Sequence, residues 1–296
     1  MIAWRRLLPL APSILALLAL ALVISITRTT TSHAQADGLV ITRLDGLAHS
    51  AFPAVEGAPQ VVVASPRTTN DAIDVVVHLH GYEGCAEVLV VAGPTRCRPR
   101  AATQEGWDLA GALAESRTGA WLVVPQLAFD TRDGSPGRLS RGGEARRLID
   151  ETIARVAAAR GIATPRVRSV TLTAHSAGFE ASIAVLRHGG LDDVLRHVVL
   201  FDAMYSGVGV FGGWAAADPQ RSLVAFHTVS GTPSRRALEL AQRFRRALGD
   251  RLLAADRSTE NDVAPGRVVL VRARTGHRAV PRRYFAPTIG RLLGAR

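Results

Sequence analysis

The sequence predicts one α/β domain built on a doubly wound, mostly parallel sheet of about eight strands with helices on both faces. Short β-branched apolar runs alternate with longer helix-like runs along the chain. The three longest irregular stretches, 81–102, 126–142 and 204–221, each follow a predicted strand. With 296 residues, 47% of them hydrophobic, the chain can fill one large core but is short for two domains. We therefore expect a single domain over residues 37–296.

The predicted strands are short and rich in valine, isoleucine and leucine. They cover residues 39–43, 60–64, 73–80, 120–125, 168–174, 197–201, 223–229 and 267–271. The predicted helices are longer and cover residues 104–116, 143–160, 177–188, 234–248 and 281–293. In an open parallel sheet, ligands bind beyond the carboxyl ends of the strands, where the three irregular stretches begin. Those stretches are therefore expected to build the substrate pocket.

The N-terminal residues 1–36 have the pattern of a secretory signal peptide. Arg5 and Arg6 precede an uncharged apolar run over residues 7–26, and the small-residue sequence Ala34-Gln35-Ala36 follows. We expect an exported protein, periplasmic or secreted, whose mature chain starts at residue 37. The apolar run is also long enough to span a bilayer, so a retained membrane anchor over residues 7–26 is the alternative.

The net charge of +11 does not indicate a nucleic-acid-binding protein. All the basic residues are arginine, they form no block of like charge, and aromatic residues make up only 5% of the chain. The two cysteines, Cys85 and Cys97, have no neighbouring histidine cluster or second cysteine pair, which argues against a zinc site. In an exported protein this pair predicts a disulfide that closes a short loop.

Residues 168–182, RSVTLTAHSAGFEAS, predict a strand that turns sharply into a helix. Ser176 lies at the turn, with the small residues Ala174 and Gly178 two positions before and after it. This arrangement is a nucleophile elbow of the G-x-S-x-G type, with alanine in the first glycine position. The alternative is a serine that only caps a helix behind a buried strand.

The strand order, the elbow after the fifth strand and a histidine near the C-terminus resemble the α/β-hydrolase superfamily over about residues 39–293, in particular its serine esterases and lipases. No close member is identified. The resemblance implies that Ser176 is the nucleophile and that His277, in the loop after the last strand, is its general base. A histidine exposed in a solvated loop is the alternative for His277.

The acid that orients the base is less directly indicated. In the common arrangement of the family it follows the seventh strand, but residues 230–234 contain no carboxylate. Some members carry the acid after the sixth strand, where Asp202 lies, and this position keeps the chain order Ser, Asp, His. We therefore predict Asp202, with Glu180 and Asp262 as alternatives and a purely turn-forming aspartate as a further one.

The resemblance also implies an oxyanion hole made of two backbone N–H groups. Ala177, directly after the nucleophile, supplies one. The His80-Gly81 segment after the third strand supplies the other, from Gly81 or Tyr82. No cofactor and no metal are expected.

The sequence thus predicts an exported serine hydrolase that cleaves carboxylic esters, either small molecules or polymers, through an acyl-enzyme. A serine peptidase or amidase of the same fold is the nearest alternative. Two others belong to different classes: a non-catalytic exported binding protein, and a membrane-tethered structural protein of the envelope. We expect no nucleic-acid partner, and membrane contact only through the N-terminal segment if it is retained.

Overall fold

The structure is a computed structural model that describes residues 38–129, 131–254 and 258–295. The predicted signal segment, residues 1–36, lies outside the described residues, as does the predicted first residue of the mature chain. None of the described helices is long and apolar enough to cross a membrane.

A nine-stranded sheet forms the centre of the fold, in the order β1-β2-β6-β3-β7-β8-β9-β11-β10. Antiparallel pairing is confined to β1–β2 and β2–β6, and the other neighbours pair in parallel. A separate two-stranded hairpin joins β4 and β5. The strands are β1 Leu39–Leu44, β2 Val61–Pro66, β3 Ala72–Leu79, β4 Pro94–Thr95, β5 Gln104–Glu105, β6 Trp121–Pro125, β7 Arg166–His175, β8 Leu195–Phe201, β9 Ser222–His227, β10 Leu252–Leu253 and β11 Val268–Arg272. The predicted mostly parallel sheet is confirmed.

Helices cover both faces of this sheet. They are α1 Ala86–Val90, α2 Leu109–Glu115, α3 Glu144–Arg160, α4 Gly178–His188, α5 Val208–Ala216, α6 Thr232–Leu248 and α7 Val280–Leu293. Successive strand residues point to opposite faces, so Val61 and Val63 join one apolar cluster while Val62 and Ala64 join the other. Helices α3 to α6 pack on the first face, and α1, α2 and α7 pack on the second. Burial on both faces explains why the strands are continuous apolar runs rather than alternating ones.

Several element boundaries differ from the sequence prediction. Residues 104–105 pair as β5, and helix α2 begins only after Asp108, whose side chain accepts a hydrogen bond from Gly111 N–H at 2.9 Å. Helices α1 and α5 lie in stretches predicted to be irregular. Helix α5, VGVFGGWAA, is rich in glycine and has low helix propensity; it is held by packing, with Phe211 fully buried. The ninth strand of the sheet, β10, has only two residues.

The disulfide between Cys85 and Cys97 is present and joins two positions that are 12 apart in the sequence. Both cysteines are buried and pack on Val88, the centre of a small apolar cluster separate from the two large ones. Cys85 also directly precedes helix α1. The disulfide therefore ties the loop after β3 to the hairpin segment that follows α1.

An aromatic stack on the side of the sheet covered by α7 should be a main source of stability. Phe226 is fully buried, with its ring 5.6 Å from that of Phe201 and 4.5 Å from that of Tyr284. We expect Phe226→Ala to lower the free energy of unfolding by about 3–5 kcal/mol, because it leaves a cavity in a closed core. Urea denaturation followed by circular dichroism measures the change. Leu238→Ala, at a side chain that is 59% exposed, is the control; equal effects of the two substitutions would contradict the prediction.

Candidate active site

Ser176 lies in the sharp turn between β7 and α4, with a positive φ of 52°. Non-glycine residues avoid this left-handed region, and holding one there costs about 1–3 kcal/mol. A Cβ on Gly81 would lie 2.7 Å from the Ser176 Cβ, and a Cβ on Gly178 would overlap the Leu79 carbonyl oxygen. Small residues around the serine are therefore required by close backbone approach, as the elbow motif predicts.

Asp202 follows β8 directly, also with a positive φ, of 47°. Its Oδ2 lies 2.6 Å from Nδ1 of His277. Because a carboxylate only accepts hydrogen bonds, Nδ1 of His277 carries the proton and donates it to this bond. Thr228, at the end of the neighbouring strand β9, donates its backbone N–H to Asp202 Oδ1 at 2.9 Å and its hydroxyl to the same carboxylate at 3.2 Å.

These hydrogen bonds keep Asp202 ionised. Burial acts to raise the pKa of its carboxyl, but the hydrogen bonds from His277 and Thr228 outweigh burial and hold the pKa below its usual value.

The two carboxylates considered as alternatives to Asp202 lie elsewhere. Glu180 lies against Gly134, and Asp262 accepts hydrogen bonds from Thr259 in a short 3₁₀ turn. Neither has a hydrogen bond to His277 in the described structure.

His175 holds the loop that carries His277 through a hydrogen bond. The Nε2 of His175 lies 3.1 Å from the His277 carbonyl oxygen, to which it donates, and the two rings are 4.5 Å apart. The other side of the His175 ring contacts Trp107 edge-on at 5.1 Å. Burial first, and then the charge of His277, lower the pKa of His175 to about 3. His175 is therefore neutral and serves as a support for the loop.

A second buried histidine, His80, organises the loop after β3. Its Nδ1 lies 2.8 Å from the Gly81 carbonyl oxygen, and its Nε2 accepts the backbone N–H of Leu127 at 2.9 Å. Burial lowers the pKa of His80 to about 4, so the ring stays neutral and Nδ1 remains a donor. Gln126 completes the support, since its Oε1 accepts the Ala86 N–H and its Nε2 lies 2.9 Å from His80 Nε2.

An open cleft of about 580 Å³ brings the predicted residues together at the carboxyl edge of the sheet. Ser176, His277, Gly81 and Tyr82 all line it, while Asp202 is buried behind His277. The other lining residues include the apolar side chains Val88, Leu89 and Trp107, the disulfide cysteine Cys85, and several polar or charged residues. Within residues 38–129, 131–254 and 258–295, no three His, Cys, Asp or Glu side chains are grouped so that they could hold a metal ion.

Three residues at this site were not singled out from the sequence. Gln126 and Thr228 each lie just past the end of a strand, β6 and β9, and that position was the available signal. Tyr205 contacts Ser176: burial and the nearby charge of Asp202 raise the pKa of the phenol, and a hydrogen bond with Ser176 opposes them. Its ring lies 5.8 Å from that of Phe179 in α4. No sequence pattern marks this contact.

Without the small hairpin β4–β5 and the short edge strand β10, eight strands remain, and their order in the sheet is that of the α/β-hydrolases. The nucleophile elbow follows β7, which is the fifth of these eight strands. The chain has the α/β-hydrolase fold. Two solved structures are similar to it. One is the S-formylglutathione hydrolase from Agrobacterium tumefaciens, with a TM-score of 0.50 and 11% sequence identity over 90% of this chain and 100% of that one. The other is the feruloyl esterase module from Clostridium thermocellum complexed with sinapinate, with a TM-score of 0.52 and 8% identity over 90% and 88%.

No protein-family model matches this sequence, and no match to it is found among the curated proteins. At 8–11% identity, the similarity to the two solved structures is one of fold.

The buried neutral histidines should make the protein less stable in mild acid. Burial lowers the pKa of His197 to about 4, against about 6.5 in the unfolded chain, so between these values the unfolded chain binds more protons. The contribution of His197 to the free energy of unfolding is at its full value above pH 6.5 and falls as the pH drops toward 4. We expect His197→Gln to reduce the loss of unfolding free energy between pH 7 and pH 5 by roughly 1–2 kcal/mol.

Urea denaturation at both pH values measures this difference. His197 lies away from the cleft, beside Ser222 at 3.0 Å, so the test does not involve the candidate site. The exposed His188, changed to Gln, is the control. An unchanged pH dependence in His197→Gln would show that this residue is not the buried neutral histidine described here.

Proposed function

We propose that this protein is a serine hydrolase that cleaves carboxylic esters, with Ser176 as nucleophile, His277 as general base and Asp202 as the acid that orients it. The observation that carries the proposal is the 2.6 Å bond from His277 to a buried, ionised Asp202, with His277 and the strained Ser176 lining one cleft. A hydroxyl needs such a base to become a nucleophile near neutral pH. A scaffold without catalysis has no use for the strain at Ser176.

In the first half of the reaction, Ser176 Oγ attacks the acyl carbon while its proton moves to Nε2 of His277. Asp202 holds the opposite ring nitrogen and stabilises the imidazolium that forms. The tetrahedral intermediate then collapses: the bond to the alcohol oxygen breaks, His277 returns the proton to that oxygen, and the acyl group stays on Ser176. In the second half, His277 takes a proton from water while the water oxygen attacks the acyl carbon, and a second tetrahedral intermediate forms. Its collapse breaks the bond to Ser176 Oγ, His277 returns the proton to that oxygen, and the carboxylic acid leaves.

The backbone geometry supports Ala177 and Tyr82 as the two oxyanion donors. Across a trans peptide, the carbonyl and the following N–H point in opposite directions. The Gly81 carbonyl points inward to His80, so the Tyr82 N–H points away from it, on the side where Gly81 approaches Ser176. No hydrogen bond within the described residues occupies the N–H of Tyr82 or Ala177. Of the two residues considered from the sequence, these observations favour Tyr82 as the proposed donor, with Gly81 supplying the space.

The proposal is tested by labelling the purified protein with a fluorophosphonate and by measuring hydrolysis of p-nitrophenyl acetate and butyrate. We expect labelling and turnover in the wild type, neither in Ser176→Ala or His277→Ala, and a loss of about 10³-fold or more in kcat for Asp202→Asn. Ser140→Ala and His188→Ala, at exposed positions outside the cleft, are the matched controls. A folded wild type that neither labels nor hydrolyses would overturn the proposal and favour the binding-protein alternative.

Gly81→Ala tests the oxyanion loop separately. The added Cβ would lie 2.7 Å from the Ser176 Cβ, so the loop must move and the Tyr82 N–H moves with it. We expect kcat to fall about 10²–10³-fold, the usual effect of losing one oxyanion donor. Gly142→Ala, where an added Cβ meets nothing within 4 Å, should leave kcat unchanged. Full activity in Gly81→Ala would contradict this assignment.

We also propose that the protein is exported. A disulfide between Cys85 and Cys97 is typical of an oxidising compartment, and the N-terminal sequence has the pattern of a signal peptide. Cell fractionation followed by N-terminal sequencing tests this. A mature chain that starts at residue 37 in the periplasm or medium is expected, whereas an intact chain in the membrane fraction would favour the anchor.

A further inference from the structure

Among the described residues that line the cleft, one cation has no counterion. Besides the histidines, the charged residues of this set are Glu83, Arg132 and Arg278. Arg132 Nε lies 2.9 Å from Glu83 Oε1, so this pair largely cancels. In the part of the chain that the structure describes, no hydrogen bond or salt bridge engages the side chain of Arg278. The charge of Asp202 is buried and already bound to His277 and Thr228. The cleft wall is therefore net positive at Arg278.

Arg278 lies close to the reacting groups. It directly follows His277 in the short 3₁₀ turn that carries the base, and its side chain is exposed. Its charge also contributes, as the smallest of several causes, to the low pKa of His175 beneath the same turn. A guanidinium at this place can reach a substrate group bound near Ser176.

The cleft adjoins a second cavity of about 240 Å³, and Glu83, Gly84 and Gln104 line both. The second cavity extends to Arg98, whose guanidinium lies over the Phe129 ring at 5.4 Å. Together the two cavities offer more room than a short acyl group and a small alcohol require. The substrate can therefore carry a further group beyond the ester bond.

We infer that the natural substrate is an ester whose acyl or alcohol portion bears an anionic oxygen group, a carboxylate or a phosphate, which Arg278 binds. The inference rests on the proposed ester hydrolysis. A guanidinium is weakly hydrated, stays charged at every relevant pH, and matches the two oxygens of these anions in a bidentate bond. An unpaired arginine at the rim also raises the local concentration of anionic esters relative to neutral ones.

The test compares anionic esters with similar neutral ones. For the alcohol side these are 4-acetoxybenzoate and 4-acetoxyphenyl phosphate against the neutral 4-acetoxybenzamide. For the acyl side they are p-nitrophenyl hydrogen adipate against its methyl ester. In the wild type we expect at least one anionic ester to exceed its neutral partner about tenfold in kcat/KM, and the excess to shrink as salt is added. A preference for the benzoate over the phosphate, or the reverse, identifies the anionic group. A preference in the adipate pair places that group on the acyl side, and a preference in the acetoxy series places it on the alcohol side.

Arg278→Gln is then expected to reduce that ratio about tenfold, equivalent to ~1.4 kcal/mol. Because a ratio is measured, a general disturbance of the neighbouring His277 cancels. Arg278→Lys should keep part of the preference. The control is Arg274→Gln, an exposed arginine four positions earlier that does not line the cleft, and it should leave the ratio unchanged. If Arg278→Gln does not fold, the wild-type ratios, their salt dependence and Arg278→Lys still decide.

Ratios near one in every series, or a ratio unaffected by Arg278→Gln, would overturn the inference while leaving ester hydrolysis intact. A wild type that labels with fluorophosphonate at Ser176 but hydrolyses none of these esters would also overturn it. Failure of the proposed function looks different: labelling and turnover would then be absent from the wild type for charged and neutral esters alike.

Discussion

The parallel register of β7, β8 and β9 is the constraint on which the site depends. His175 pairs with Phe201, and Phe201 pairs with Phe226 in the next strand. The next residues along the first two strands, Ser176 and Asp202, therefore emerge side by side at one edge, separated by about the 4.8 Å spacing of neighbouring strands. Strand β11 lies beyond β9 and returns His277 over the same edge. A change of register by one residue would turn these side chains to other faces.

Two strained residues lie at this edge, and the surrounding structure holds both. Ser176 and Asp202 adopt left-handed backbone angles, each at a cost of about 1–3 kcal/mol. Their backbone N–H groups remain bonded to the neighbouring strands, to Phe201 O at 3.4 Å and to Phe226 O at 2.9 Å. Because the strand residues directly behind them are buried, relaxing either turn would disturb the packing of the core on both faces. The strain is thus offset by the apolar interior.

Neutral histidines take the supporting positions around the cleft. His175 and His80 are buried, and burial lowers the pKa of each far enough that it donates a hydrogen bond without carrying charge. Each holds a backbone carbonyl, of His277 and of Gly81 respectively. Among the described residues, the two arginines that line the cleft, Arg132 and Arg278, are both exposed to solvent.

The sequence alone determined those features of the protein that depend only on residues close together in the chain. The alternation of apolar strands and amphipathic helices is local, and it was enough for the fold class. The elbow around Ser176 is local as well, since the backbone turn itself demands small neighbours. Helix α5 was missed because its glycines give it little propensity, and its packing partners come from distant parts of the chain.

Only the tertiary structure decided which groups meet. Asp202 and His277 are 75 residues apart, and Asp202 was one of three candidate carboxylates until the geometry joined it to the histidine. The same holds for the support that Gln126 gives to His80, 46 residues away, and for Arg278, whose side chain has no partner among the described residues. Contacts of this kind depend on sheet order and register. These arise from packing the whole core, so no short stretch of sequence encodes them.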